Sequence, residues 1–432
     1  MSKCDIDLGS SKMLTYDEAL QQVLQTVQRM PVEKVELERI LGRILAESIR
    51  AEFDLPRFNN SAVDGFGVLI SDVAQASTDK PIKLNLVGTI HAGDRADGPA
   101  LKSGETVKIL TGATVPPSVE AVIMREYCVE ESGIVAFATN AETGENVRRK
   151  GDEVKQGEEV LPAGIEASPP VVGLIASFGH AKFPVYQQPR VAVVVTGDEL
   201  VKPGGALEDG QIFESNSFAL AAAVKALGLP DCRTIHARDD REATEQAFLL
   251  ALDDQQADVI ISAGGVSVGE HDYVKVVLEQ DIGVTSVFWK IAIKPGKPVF
   301  FGFIDRPDRE GGKPRRRIIF GLPGNPVSAL VTFNLFVKPA LMAMQGALDG
   351  PKSGWFGSLE RDMKKKPGRL DFVRGILSCS PEGALNVLPT RGQDSHMLSG
   401  LAKADCLIQF PADDERLSQG QCVRLERLDW HS

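Results

Sequence analysis

Asp198 and Glu199 directly follow the apolar run Val191–Val195, Asp239 and Asp240 follow another apolar stretch, and Asp272 lies just past the Gly264-Gly265 turn. Carboxylates gathered at strand ends suit Mg²⁺, which is held by one or two carboxylates plus substrate oxygens. Asp198, Glu199, Asp240 and Asp272 are the candidate metal ligands. Acidic residues also cap helix starts, where they meet the positive end of the helix dipole, and Asp240 and Asp272 are open to that plainer role.

Glycine turns accompany the carboxylates. Gly264, Gly265, Gly269, Gly321 and Gly324 would let the backbone approach a phosphate, and a helix opening there presents free N–H groups to an anion. Asn325 is placed to cap the helix that follows, with Pro326 at its first position. One Gly-Gly turn alone would be ordinary structure. Two in one α/β unit, with a polar loop after the first strand, favour a site, and Gly264, Gly265 and Ser267 are its binding candidates.

The basic candidates are Lys290, Lys294 and Lys297, within Trp289-Lys-Ile-Ala-Ile-Lys-Pro-Gly-Lys-Pro298. Lys290 and Lys294 fall on one side of an extended segment, and Pro295-Gly296 turns the chain so that Lys297 can point back. The formal charge is 48 − 59 = −11, so three close lysines point to a local anion, although solvated surface lysines would give the same pattern. Arg315-Arg-Arg317 reads as part of a charged, solvated loop, Arg306–Arg317. No nucleophile constellation stands out: GxSxG, HExxH and GxxxxGK[ST] are read as absent, and the six His are dispersed.

A scaffold for these residues is visible in the patterning. Thr15-Tyr-Asp-Glu18 is a capping box before Leu20, Val23, Leu24, Val27 and Met30 at helical spacing. Val35–Ile49 is expected to form a second helix interrupted at Gly42, and helical pairs of this kind often mediate dimers. Alternation from Ile82 to Leu86, and short runs at Val107–Leu110, Ala121–Met124 and Ile134–Phe137, predict a small β-rich domain. Between 188 and 345, strands at Val191–Val195, Val259–Ser262 and Arg317–Phe320 alternate with helices at Ser217–Leu227, Arg241–Leu252 and from Pro326 to about Met342. That rhythm predicts a parallel α/β sheet. After Gly350 the pattern is β-like again. The expected domains are 12–50 with 150–187 (helical and mixed, dimerising), 51–149 (inserted, β-rich), 188–348 (α/β) and 349–432 (C-terminal β).

Length and composition bound the rest. At roughly 150 residues per domain, 432 residues make about three units. An acidic chain is a poor partner for nucleic acid, whose binding depends on neutralising phosphates. The Met1–Leu14 segment lacks signal-peptide features, and no apolar run approaches the roughly 18 residues that span a bilayer. Six scattered Cys with no CxxC predict reduced thiols, and hence a cytoplasmic protein with neither zinc site nor disulfides.

Taken in order, several stretches resemble the MoeA family of molybdopterin molybdenumtransferases, also represented by the E domain of gephyrin. They are Pro56-Arg-Phe-Asn-Asn-Ser-Ala-Val-Asp-Gly65, Thr111-Gly-Ala-Thr-Val-Pro116, Val147-Arg-Arg-Lys-Gly151, Thr196-Gly-Asp-Glu-Leu200 and Ser215-Asn-Ser217. They continue with Gly264-Gly-Val-Ser-Val-Gly-Glu-His-Asp272, Lys294-Pro-Gly-Lys-Pro298, Gly321-Leu-Pro-Gly-Asn-Pro-Val-Ser328 and Pro367-Gly-Arg-Leu-Asp-Phe372. The resemblance runs from about residue 14 to 427.

It implies a four-domain homodimer whose α/β domain is similar to molybdopterin adenylyltransferase, with a C-terminal β-barrel-like domain. It implies a Mg²⁺-dependent reaction of adenylylated molybdopterin with molybdate, giving molybdenum cofactor and AMP. By position, Asp64 and Thr111 match inserted-domain residues facing the other subunit, and Glu199, Asp240 and Asp272 match an acidic nucleotide and metal site. Lys294, Lys297, Ser328, Arg369 and Ser395 match positions that hold molybdate, with Lys290 and Pro298 beside them. Lys, Arg and Ser donors suit a tetrahedral dianion through charge-assisted hydrogen bonds. The adenylyltransferase and molybdoenzyme-maturation proteins are the implied partners. Departures from the family pattern include Val63, Val195, Ala263, Glu214 and the order Asp152-Glu153. A non-enzymatic dimeric scaffold and a molybdopterin adenylyltransferase are the alternatives; the intact lysine and acidic set speaks against the first, and the single α/β domain against the second.

Overall fold

Val191-Ala-Val-Val-Val195 is apolar at every position because both faces of its strand are buried. Val191, Val193 and Val195 enter one core with Leu220, Val259 and Phe320, while Ala192 and Val194 enter another with Phe248, Ile260 and Ile319. Such continuous runs belong to sheets covered on both sides. In the computed structural model, which describes residues 13–94, 100–265, 273–307, 314–348, 354–428 and 430, this strand sits second in a six-stranded sheet. The order is Cys232–Ala237, Val191–Thr196, Val259–Ala263, Arg315–Leu322, Phe300–Arg306, Thr285–Trp289. The first four strands are parallel and the last two antiparallel to their neighbours.

The chain forms two compact units, one of Met1–Ala46, Gly164–Pro170 and Lys182–Ser432, the other of Glu47–Ala163 and Val171–Ala181. The first unit contains the α/β sheet and a C-terminal sheet in which Leu370–Cys379 pairs with both Leu385–Pro389 and Cys406–Phe410, closing the sheet on itself. The second unit is built on a six-stranded sheet of order Ala121–Met124, Gly65–Val68, Glu105–Ile109, Ile82–Ile90, Ile134–Phe137, Cys128–Glu131. The expected multidomain α/β and β architecture is therefore present.

The capping box opens a helix at Tyr16–Thr26, where Thr15 Oγ1 accepts from Glu18 N at 3.3 Å and Glu18 Oε2 accepts from Thr15 N at 2.8 Å. Tyr16 packs edge-on against Phe336, 5.7 Å away, and Phe372, 5.3 Å away, so this helix touches both the α/β domain and the C-terminal sheet. The helix Pro326–Met344 is long and apolar enough to cross a membrane, with mean hydropathy 1.6, so the expectation that no segment reaches that length is corrected. Of its apolar window 83% is buried, as in a core helix. A wider π turn over Phe333–Val337 precedes Pro339, which has no N–H to continue an α ladder.

Two expectations are overturned. Val35–Ile49 is not a helix: Val32–Glu36 is a strand paired with Lys182–Tyr186, followed by one helical turn at Leu37–Arg39 and a strand at Ile49–Arg50. The pairing partner about 150 residues away supplies the hydrogen bonds that local spacing assigned to a helix, and Gly42 at φ +75° would break one. Nor do Arg306 and Arg315–Arg317 belong to a solvated loop. Phe300–Arg306 and Arg315–Leu322 pair up to Arg306 opposite Arg315, and residues 308–313 lie outside the described residues.

Arg317 is fully buried because Asp258, also buried, accepts a hydrogen bond from its guanidinium. Asp258 further accepts from Arg190 N at 2.9 Å and lies 3.4 Å from Arg315 Nη2. One carboxylate thereby ties together the starting ends of three adjacent strands. Among the described residues Cys128, Cys232, Cys379, Cys406 and Cys422 are free thiols.

Candidate functional site

The four parallel strands end on one edge of the sheet, at Thr196, Ala237, Ala263 and Leu322. The loops leaving three of them, with Ile212–Asn216 and Asp239, line a cleft of about 460 Å³. Gly264 and Gly265 stand at φ +102° and +66°, where side-chain-bearing residues are strained. A Cβ on Gly264 would come 3.0 Å from Thr196 O, and one on Gly324 would come 3.3 Å from Gly264 Cα. Bare backbone is thus required where the two turns meet.

Two helices open into the cleft, Asn216–Ala226 and Pro326–Met344. Neither Ser215 nor Asn325 makes a side-chain capping bond, so the cap expected of Asn325 is not made. Asn325 Nδ2 instead donates to Ser395 Oγ at 3.2 Å, and Asn216 Nδ2 donates to Gly324 O at 2.7 Å. Thr196 Oγ1, Asn216 Oδ1 and Asn325 Oδ1 are buried with no hydrogen-bond partner among the described residues. An unmet buried polar atom costs about 1–3 kcal/mol. Two helix starts beside them favour an anion, while Asn216 Oδ1 and Asn325 Oδ1, which can only accept, call for N–H or O–H groups on the same ligand.

Of the expected site residues, Glu199, Gly264, Gly265 and Pro298 line this cleft. Asp198 Oδ1 accepts from Asp239 N at 3.3 Å, which bridges two of the strand-end loops. Asp240 takes the plainer role, capping the helix Arg241–Leu249 by accepting from Ala243 N at 2.8 Å; the neighbouring Asp239 lines the cleft instead. Ser267 and Asp272 lie outside the described residues. The spacing G-x-S-x-G does occur, at Gly265-Val-Ser-Val-Gly269, although its serine is that same Ser267. Among the described residues no three His, Cys, Asp or Glu side chains stand together as a metal cage.

The lysines separate. Lys290 leaves the strand with φ +88° and its Nζ sits 4.0 Å from the Trp289 ring, so it does not share an extended face with Lys294. Lys294 and Lys297 are exposed on either side of the Pro295-Gly296 turn. Lys294 Nζ is 3.8 Å from Asp371, which also lies 3.8 Å from Lys365 Nζ. Burial pushes the Asp371 carboxyl above its ordinary range and the Lys365 ammonium below its own, partly offset by their mutual attraction. Arg369 neighbours this group, its carbonyl accepting from Lys365 Nζ. Ser328 is buried in the first turn of its helix.

In the second unit Asp64 and Thr111 do meet: Asp64 Oδ1 accepts from Thr111 Oγ1 and from Thr111 N, both at 2.7 Å. These bonds, the hydroxyl's first, hold the exposed Asp64 carboxyl below the usual range.

Thr196 and Asn216 fall in stretches that carry the family resemblance but not among the expected site residues, and Asn325 is expected there only as a helix cap. Their signal was a Ser or Thr-Gly turn after a buried strand and an Asn just before an apolar helix.

The family comparisons agree with this layout. The model for the MoeA N-terminal region (domain I and II) matches residues 14–179, that for the "Probable molybdopterin binding domain" matches 192–343, and that for the MoeA C-terminal region (domain IV) matches 357–428. The chain is 37% identical over 422 residues to a molybdopterin molybdenumtransferase of Haemophilus influenzae, covering 96% of this chain and 98% of that one. The chain belongs to the MoeA family. Another MoeA-type relative, a molybdopterin molybdenumtransferase of Staphylococcus aureus, is 33% identical, with 94% of this chain and 93% of that one covered. The crystal structure of a molybdopterin biosynthesis MoeA protein from Pyrococcus horikoshii superposes with a TM-score of 0.78 at 29% identity, covering 96% and 100%. The cleft described above falls within the segment matched as the molybdopterin-binding domain of the MoeA architecture.

Proposed function

We propose that this chain is a molybdopterin molybdenumtransferase: it inserts molybdenum from molybdate into adenylylated molybdopterin and releases AMP. The observation that carries the reading is the glycine-lined cleft with two helix starts and three unmet buried polar atoms, in a chain matched to this family along nearly its whole length. The helix starts, the Gly264-Gly265 turn and the Thr196 hydroxyl would hold the phosphates, and Asn216 Oδ1 and Asn325 Oδ1 would accept from N–H or O–H groups of the substrate. Lys294, Lys297 and Arg369 supply the positive charge for molybdate, with Ser328 and Ser395 as hydroxyl donors. Placing dithiolene and oxyanion side by side supplies much of the rate without a protein nucleophile.

A Mg²⁺ ion fits this donor set as one shared with substrate phosphate, since Glu199 and Asp239 line the cleft and Mg²⁺ seldom takes an all-protein cage. When bound it would neutralise phosphoryl charge. AMP release from adenylylated molybdopterin, with and without molybdate, tests the reading. Molybdate-stimulated release with active cofactor formed supports it; binding without turnover favours the scaffold, and ATP-dependent adenylylation the adenylyltransferase.

Lys297→Ala is expected to raise KM for molybdate about tenfold, the scale of one charge-assisted hydrogen bond, and to leave pterin binding unchanged. Equal loss of both would contradict the oxyanion role.

The same reading makes the protein a cytoplasmic homodimer, supplied by an adenylyltransferase and drained by maturation proteins, in which Asp64 and Thr111 of one copy serve the cleft of its partner. Mixing inactive Asp64→Asn and Glu199→Gln chains is then expected to restore about a quarter of the activity, one intact site in four for random pairing. No recovery in mixed dimers would place both residues in the same copy's site.

A further inference from the structure

The cleft has one apolar wall that phosphate and oxyanion chemistry leaves unused. Ile212 and Phe213 line it while remaining 55% and 47% exposed. The segment is not loose. Ile212–Phe213 pairs in parallel with Leu200–Val201, Ile212 N donating to Glu199 O at 2.9 Å and Glu214 N to Val201 O at 2.8 Å. Glu214 is buried, and its carboxylate accepts from Ser217 N at 2.7 Å and Ser217 Oγ at 2.6 Å, which anchors the segment to the start of the Asn216–Ala226 helix. The backbone of Phe213 is therefore clamped on both sides, between Glu199 and a helix start.

An aromatic side chain on a clamped backbone at the mouth of a polar cleft offers a flat π face with only two side-chain torsions to order. We propose that Phe213 is the platform on which a planar heteroaromatic ring of the substrate stacks, and that it selects purine- or pterin-type ligands over other phosphate anions. This rests on the reading of the cleft as the adenylylated-pterin site. Both ends of that substrate carry such a ring, adenine on one and pterin on the other.

The experiment titrates the full chain with AMP and, separately, with pterin, following ligand protons by NMR and affinity by calorimetry. Stacking on Phe213 moves the ring protons of the ligand it holds upfield. Phe213→Leu, which keeps apolar bulk without a π face, is expected to abolish that shift and weaken binding about tenfold, within the range for one stacked base. Phe213→Tyr is expected to restore both. A shift lost with AMP assigns the platform to adenine, and one lost with pterin assigns it to the pterin end. A parent that binds either ligand with shifts unchanged in Phe213→Leu overturns the platform alone. A parent that binds neither overturns the functional reading and this inference with it.

Discussion

Asp258→Ala is expected to cost about 3–5 kcal/mol of stability, the range for removing one partner of a buried ion pair. Asp258 is 2% exposed and Arg317 is fully buried, so the variant would leave a guanidinium in the core without its carboxylate. Arg190 and Arg315 would lose the same acceptor, and with it the bonds joining three strand starts. Urea unfolding of the parent and variant reads the loss, and a difference below about 1 kcal/mol, the scale of an exposed pair, would mean that water reaches the cluster. Arg317→Met added to Asp258→Leu is expected to recover part of the loss, because replacing both partners by apolar groups removes the buried charge itself. The cluster sits at the end of the sheet opposite the cleft, so turnover well below the unfolding temperature should change little.

Glu199→Gln is expected to lower the rate of AMP release by about 10²–10³-fold, the scale lost when one preorganised charge-stabilising group is removed. Glu199 lines the cleft directly after the Thr196-Gly197 turn, and a Cβ built on Gly197 would come 2.8 Å from its Oε2. The missing side chain at Gly197 is what leaves that carboxylate its place. The amide keeps the shape and removes the charge, so folding should be intact and the Mg²⁺ concentration for half-maximal rate should rise. A rate equal to the parent's at limiting Mg²⁺ would take Glu199 out of the chemistry.

The strands that carry these residues were legible because burial on both faces leaves an uninterrupted apolar run, as at Val191–Val195. The segment from Val35 to Ile49 was misread for the converse reason. Its apolar spacing fits a helix locally, while its partner strand, Lys182–Tyr186, is remote in sequence. Arg317 looked like loop charge because Asp258, which justifies its burial, is 59 positions away. In the cleft, glycines and carboxylates announced themselves by type and place. The contact of Asn216 with Gly324 spans 108 positions and has no local signature. Asp240 and Asp239 show the finest limit: adjacent acidic residues, of which one caps the start of a helix and the other lines the cleft.

The Tyr16 ring between Phe336 and Phe372 also sets a timetable. Tyr16 is synthesised 336 − 16 = 320 residues before the first of these partners and 372 − 16 = 356 before the second. At about 5–20 residues per second, that is a wait of roughly 15–70 s on the ribosome. During it the apolar stripe of Leu20, Val23 and Val27 lacks the part of its core that Phe336, Leu341 and Phe372 supply. The Tyr16–Thr26 helix thus waits for most of the chain to be made, and a nascent chain stalled before residue 336 carries it without either ring.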